Sequence, residues 1–230
     1  MPKLACVAGE PSGDLLAAPV LHALNQMPEM ASLSAYGVGG PLMQAEGFDS
    51  RWPMETLSVR GYVEALTQLP AILRLRKDLL NTLIHLDRPD AYLGIDAPDF
   101  NLPIERKLKA SGIPTVHYVS PTVWAWRRGR TKKIVAAVNQ LLCLFPFEPA
   151  CYKGQGLDPV FVGHPLADEI EPQIDRQRVR QSLNLPEAAP LITLMPGSRQ
   201  SELAFHAQLF VEAANQVATE LPEALFLVPL

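Results

Sequence analysis

"ACVAGEPSGDLLAA", Ala5–Ala18, decides the fold. It passes from small apolar residues, through a glycine-flanked turn holding an acid, a proline and Ser-Gly-Asp, into leucines at helical spacing. The run "KLACVAG" reads as a short buried strand. Leu15, Leu16, Val20, Leu21 and Leu24 mark one face of a helix over 13–26. A strand that turns through glycines straight into a helix opens a βαβ unit, and in open sheets of such units ligands sit beyond the carboxyl ends of the strands. The glycine spacing here is G-x-x-x-G with Glu10 inside, not the dinucleotide pattern G-x-G-x-x-G. An acidic turn is poor for pyrophosphate and better for sugar hydroxyls. Gly9 and Gly13 let the backbone approach a ligand, and Ser12 or Asp14 can cap the helix or present oxygen to a sugar. An ordinary capped turn is the plain alternative.

The same alternation continues along the chain. Strands are expected at "LSAYGVGG", "AYLGI", "PTVHYVS", "QLLCLF", "PVFVG", "LITLMPG" and "ALFLVPL". Helices are expected at "LPAILRLRKDLLNTLIHL" (apolar side Ile72, Leu73, Leu75, Leu79, Leu80, Leu83 and Ile84), "LPIERKLKAS", "TKKIVAAV", "DRQRVRQSL" and 201–220. Strands of a few residues that are apolar throughout suit a parallel sheet buried on both faces. Their alternation with helices gives an α/β doubly wound, Rossmann-like architecture. Residues 1–165 read as a first domain, 166–189 as a linker and helix, and 190–230 as the opening β-α-β of a second domain that would continue further.

Composition narrows the function. The 230 residues are 48% hydrophobic and 19% charged, which is globular and enough for a large core. The net charge of −4 supplies no global basic field and argues against a nucleic-acid partner. Cys6, Cys143 and Cys151 form no C-x-x-C and read as reduced thiols in or near the core. No H-x-x-x-H spacing occurs, so a protein-held metal site is not expected. The apolar run before Gly9 is too short for a signal-peptide core, and no 18-residue apolar window occurs. The expectation is a cytosolic protein that meets a membrane only from its surface.

Three further segments can carry chemistry. In "YLGIDAPDFN", Asp96 directly follows a buried strand, where apolar neighbours can tune a general base. Asp99 follows Pro98 and serves the site, holds a metal together with Asp96, or caps the next helix. Trp124–Lys133 holds two tryptophans, five basic residues and no acid. Trp124 and Arg127 in that run suit an anionic amphiphile, or else form a solvated basic helix start with tryptophan packed inward. In "MPGSRQSE" a strand ends at Gly197, Ser198 and Arg199 before a helix that starts near Glu202. Free N–H groups and an arginine there suit phosphate, with a Ser-capped turn as the alternative.

Together "AGEPSGD" (8–14), "GGPLMQAEGF" (39–48), "GIDAPDFN" (94–101), "HYVSPTVWAWR" (117–127), "FPFE" (145–148), "VGHPLAD" (162–168) and "PGSRQSE" (196–202) resemble the lipid-A-disaccharide synthase family, in order and from end to end. The resemblance implies the GT-B architecture of two Rossmann-like domains facing across a cleft. It implies inverting transfer of 2,3-diacylglucosamine from UDP to 2,3-diacylglucosamine 1-phosphate, with no cofactor, since the UDP-sugar is a substrate. By the same resemblance Asp96 matches the general base and Arg199 an arginine needed for activity. Glu10, Ser12, Gly13, Asp14, Asp99, Trp124, Arg127, Gly197, Ser198 and Glu202 are the expected substrate contacts. The family implies peripheral association with the inner-membrane surface through an apolar helix near 57–69, here "LSVRGYVEALTQL" with Tyr62, Val63, Leu66 and Leu69 as the apolar side. It also implies a homodimer for the full-length protein. The competing readings are a non-catalytic fragment that binds an acylated sugar phosphate or a membrane, and a UDP-sugar epimerase of similar architecture. "GIDAPDFN" and "VSPTVWAWR" argue against the epimerase.

Overall fold

Two units divide the chain, the first ending at Glu169 and the second running from Ile170. The computed structural model describes residues 1–57, 62–125, 128–197 and 200–229, without the side chains of 62–66, 128, 200 and 201.

In the first unit β1 (Lys3–Ala8), β2 (Ser34–Val38), β3 (Asp49–Trp52), β4 (Ala91–Ile95), β5 (Thr115–Tyr118), β6 (Gln140–Cys143) and β7 (Val160–Phe161) form one parallel sheet. Its spatial order is β3-β2-β1-β4-β5-β6-β7. The crossovers carry α1 (Pro11–Gln26), α2 (Pro41–Ala45), α3 (Tyr62–Asn81), α4 (Pro98–Ala110) and α5 (Thr131–Ala137). The central strands are apolar on both faces because both faces are covered. Ala5 and Val7 enter one core with Leu75, Leu79 and Leu80 of α3 and Phe100, Ile104 and Leu108 of α4. Cys6 and Ala8, pointing the other way at period two, enter a second core with Leu16, Ala17 and Leu21 of α1. A third core gathers Ile134 and Ala137 of α5 with Leu141, Cys143 and Tyr152. Leu73, expected on the apolar side of its helix, is instead 48% exposed.

The strand β3 escaped the sequence reading. "DSRW" alternates polar and half-buried residues at the sheet edge, with no apolar run to announce it. It is held by Arg51, whose guanidinium lies 3.9 Å over the Tyr36 ring and pairs with Asp49 and Asp87. Only glycine fits at Gly37 of β2: its φ is +142°, and a Cβ would lie 2.1 Å from the Cys6 carbonyl oxygen.

Following the short helix α6 (Pro165–Glu169), the second unit contains α7 (Arg176–Ser182), β8 (Leu191–Thr193), α8 (Gln200–Glu220) and β9 (Leu225–Leu227), with β8 and β9 parallel. Asp175 caps α7 by accepting from the N–H groups of Gln177 and Arg178. Among the described residues no helix is long and apolar enough to cross a membrane.

Candidate functional site

The chain winds from β1 outward to β3, then returns to β4 on the other side of β1. The strand order therefore reverses between β1 and β4, and ligands of open α/β sheets bind at that switch point. Ala8 and Ile95 are the last partners in register there. The two turns singled out in the sequence, 9–14 and 96–101, thus leave the sheet side by side. A Cβ on Gly9 would lie 3.2 Å from that of Ala97, so glycine lets the two corners abut.

The corner after β4 is strained. Asp96 and Ala97 have φ of +49° and +43°, and Val119 after β5 has +81°. Residues other than glycine in the left-handed region cost on the order of 1–3 kcal/mol each, and such strain concentrates at functional sites. Here it sits along the carboxyl edge of the central strands. It is over-determined by hydrogen bonds. The Asp96 N–H donates to Tyr118 O at 2.9 Å, and the Val119 N–H to Leu142 O at 3.1 Å.

Asn101, fully buried in α4, is the main brace. Its Nδ2 donates to the carbonyl oxygens of Asp96 (2.8 Å), Val7 (3.3 Å) and Ile95 (3.4 Å), so one amide ties together the ends of β1 and β4. Its Oδ1 accepts from the buried Tyr92 hydroxyl at 2.8 Å. Burial pushes the Tyr92 phenol well above its ordinary range, with Glu105 adding to the rise, so it stays a donor. Beneath it Glu105 Oε1 lies 2.7 Å from His117 Nδ1, both side chains being fully buried. Gly94 makes room for that carboxylate, since a Cβ there would lie 2.2 Å from Glu105 Oε1. Asn101 lies within "GIDAPDFN", but no local pattern in the sequence gives it this role. Its acceptors are backbone carbonyls that the pairing of β1 and β4 brings together, which no spacing announces.

The other expected site residues divide. Glu10 and Ser12 stand exposed at the start of α1, beside the Asp96 corner. Gly13 and Asp14, by contrast, are buried. A Cβ on Gly13 would lie 3.3 Å from the Ala8 Cβ. The buried Asp14 carboxylate accepts from the N–H groups of Gly40, Leu42 and Met43, each at 3.0 Å. It caps α2, a helix next door, and not its own helix. Asp99 does not cap α4 either; its exposed carboxylate pairs with Arg130.

Trp124 is 45% exposed, so it is not packed inward. It meets Phe147 edge-to-face at 5.3 Å, and Phe147 stacks on Phe145 at 5.6 Å. The buried Glu148 carboxylate holds this motif by accepting from the Phe145 N–H at 2.9 Å. Burial raises its pKa, against the pull of the Phe145 and Leu144 N–H groups. Trp124 also lines a cleft of about 410 Å³ with Val123, Thr131, Ala150, Cys151 and Gln155. Arg127, Ser198 and Arg199 lie outside the described residues, as do the side chains of Tyr62, Val63 and Leu66; Leu69 is 46% exposed. In the second unit Gly197 has φ of +131°, and a Cβ there would lie 2.5 Å from the Glu202 Cβ, so Glu202 backs that turn. Among the described residues no cluster of three or more His, Cys, Asp or Glu side chains is placed to hold a metal ion.

The seven-stranded parallel sheet, reversing its order between β1 and β4 with helices in the crossovers, belongs to the Rossmann-like class of α/β folds. Solved structures agree on the fold. The UDP-GlcNAc 2-epimerase from Neisseria meningitidis bound to UDP-GlcNAc superposes with a TM-score of 0.63 at 10% identity, over 100% of this chain and 66% of that one. Arabidopsis thaliana UGT89C1 complexed with UDP superposes with a TM-score of 0.51 at 18% identity, over 86% and 58%. Within that class the chain belongs to the lipid-A-disaccharide synthetase family, whose model matches residues 4–230. Lipid-A-disaccharide synthases of Chromobacterium violaceum and Dechloromonas aromatica are each 52% identical to it over 99% of its length. The chain spans 58% and 59% of the length of those two relatives.

Proposed function

We propose that the chain is the acceptor-side part of a glycosyltransferase of lipid A biosynthesis. The reaction joins 2,3-diacylglucosamine from its UDP conjugate to 2,3-diacylglucosamine 1-phosphate, inverting the anomeric centre and releasing UDP. One observation carries the reading: Asp96 sits in a braced, left-handed corner at the switch point, directly beside the Gly9 turn, in a chain of this family.

The roles rest on the family resemblance and on the chemistry that the displacement needs. An in-line displacement at the anomeric carbon needs a base on the acceptor hydroxyl. It also needs donors for the charge that develops on the leaving diphosphate. Asp96 takes the proton of the acceptor 6-hydroxyl. Glu10 and Ser12 offer oxygens to the sugar, and the absence of a side chain at Gly9 lets it come close. Trp124, with Phe145 and Phe147, offers an apolar surface to acyl chains or a sugar face. Arg127 serves a substrate phosphate, and Gly197, Ser198 and Arg199 meet the diphosphate. The reading requires no cofactor. It places the protein on the cytoplasmic side of the inner membrane, held at the surface, and makes the longer protein a homodimer.

Acceptor-dependent UDP release from UDP-2,3-diacylglucosamine in detergent tests it. Asp96→Ala is expected to lower the rate by roughly 10²–10⁴-fold, the usual contribution of a positioned base. Turnover by Asp96→Ala near that of the parent removes Asp96 from the mechanism.

A further inference from the structure

A second cleft opens next to the Asp96 corner, between α4 and α5, with a volume of about 450 Å³. Its apolar lining comes from Leu102 and Pro103 of α4 and Ala136 of α5, and Leu102 is anchored on the third core. Its charged lining is Arg106, Arg130, Lys132 and Lys133, against Asp99 alone. In a chain of net charge −4 this is a local reversal of sign. Arg130 pairs with Asp99 at the end nearest Asp96, three residues along the chain. Among the described residues Arg106, Lys132 and Lys133 make no hydrogen bond or ion pair that would compensate their charge.

Four cations around an apolar-lined cleft suit an anion carried on an apolar body. The aliphatic stems of Lys and Arg extend the apolar lining while their charged heads stay at the opening. The cleft falls in the size range of small-molecule sites and is far larger than a bare phosphate needs. Both helices begin at the carboxyl edge of the sheet, where α4 leaves β4 and α5 follows β5. One molecule can therefore reach the cleft and the Asp96 corner without help from the second unit.

We propose that this cleft binds the phosphate monoester of an acylated sugar, the acceptor substrate, while a hydroxyl of the same sugar lies at Asp96. The assignment rests on the glycosyltransferase reading above and adds to it which part of the acceptor goes where. Arg106 and Lys133, one on each wall, hold the phosphate, and Arg130 exchanges part of its contact with Asp99 for the same anion.

The test is calorimetric titration of the 230-residue chain with a dihexanoyl glucosamine 1-phosphate and with its dephosphorylated analogue. The parent is expected to bind the phosphate form at least tenfold more tightly. Arg106→Glu/Lys133→Glu, two exposed positions, is expected to erase that preference with an unchanged unfolding midpoint. Asp96→Ala removes a contact common to both sugars and is expected to keep the preference for the phosphate form, so a failure of the base assignment leaves this result intact and the two claims fail separately. Equal binding of the two sugars by the parent overturns the proposal, as does a preference that survives the double reversal. Displacement of the sugar phosphate by phosphatidylglycerol vesicles, and not by phosphatidylcholine vesicles, also overturns it, because the occupant is then a phospholipid headgroup.

Discussion

Replacing Asn101 with alanine tests how the strained corner is held. The substitution removes the amide that donates to Asp96, Val7 and Ile95 and leaves the Tyr92 hydroxyl without its acceptor. Losing the 2.8 Å bond to Asp96 costs about 1 kcal/mol net, and a stranded buried hydroxyl costs about 1–3 kcal/mol more. The sum is about 3 kcal/mol, before any effect on the left-handed residues. All three tryptophans precede Glu169, so their fluorescence during urea unfolding reports the first unit. In a unit of this size the loss corresponds to a fall in Tm of roughly 6–12 °C. Ala97→Gly added to Asn101→Ala should recover on the order of 1 kcal/mol, because glycine adopts a positive φ at no steric cost. A loss below about 1 kcal/mol for Asn101→Ala, or no recovery on adding Ala97→Gly, refutes the reasoning that this amide braces the corner.

Asp14→Ala removes three charge-assisted caps of α2 and should destabilise the first unit by about 3 kcal/mol in the same urea assay. Glu105→Ala breaks a buried pair and should cost about 3–5 kcal/mol, with Glu105→Gln costing clearly less. Asp87 is held below its ordinary carboxylate range by hydrogen bonds first from Lys3 and then from Arg51. Its contribution is therefore present at neutral pH and lost as pH falls through that lowered value. Asp87→Asn should lower stability at pH 7 by up to about 1 kcal/mol and flatten the acid limb of the stability–pH curve. Burial raises the pKa of the Cys143 thiol to about 12 and that of Cys6 further, so a thiol-reactive dye at pH 8 should leave both unlabelled in the native protein.

The sheet was legible because its inner strands are apolar on both faces and separated by amphipathic helices. The edge strand Asp49–Trp52 was not, because its stability comes from Arg51 over Tyr36 and from pairing with β2, neither of which leaves a local pattern. The position of Asp96 was readable because a carboxylate directly after a buried strand lands at the ligand edge of any such sheet. The role of Asp14 was not, because its three partners lie 26 to 29 residues away. Nor could one sequence reveal that α4 and α5 bring Arg106 and Lys133 to one cleft, since helix packing, not spacing, joins them.

The most direct test of the central claim is mass spectrometry of the products formed from UDP-2,3-diacylglucosamine with and without the sugar 1-phosphate acceptor. The account predicts a linked acylated disaccharide monophosphate, one UDP for each linkage, and neither product when acceptor is omitted or Asp96 is alanine. UDP or an epimerised sugar appearing at the same rate without acceptor, and no linked product with it, would contradict the account.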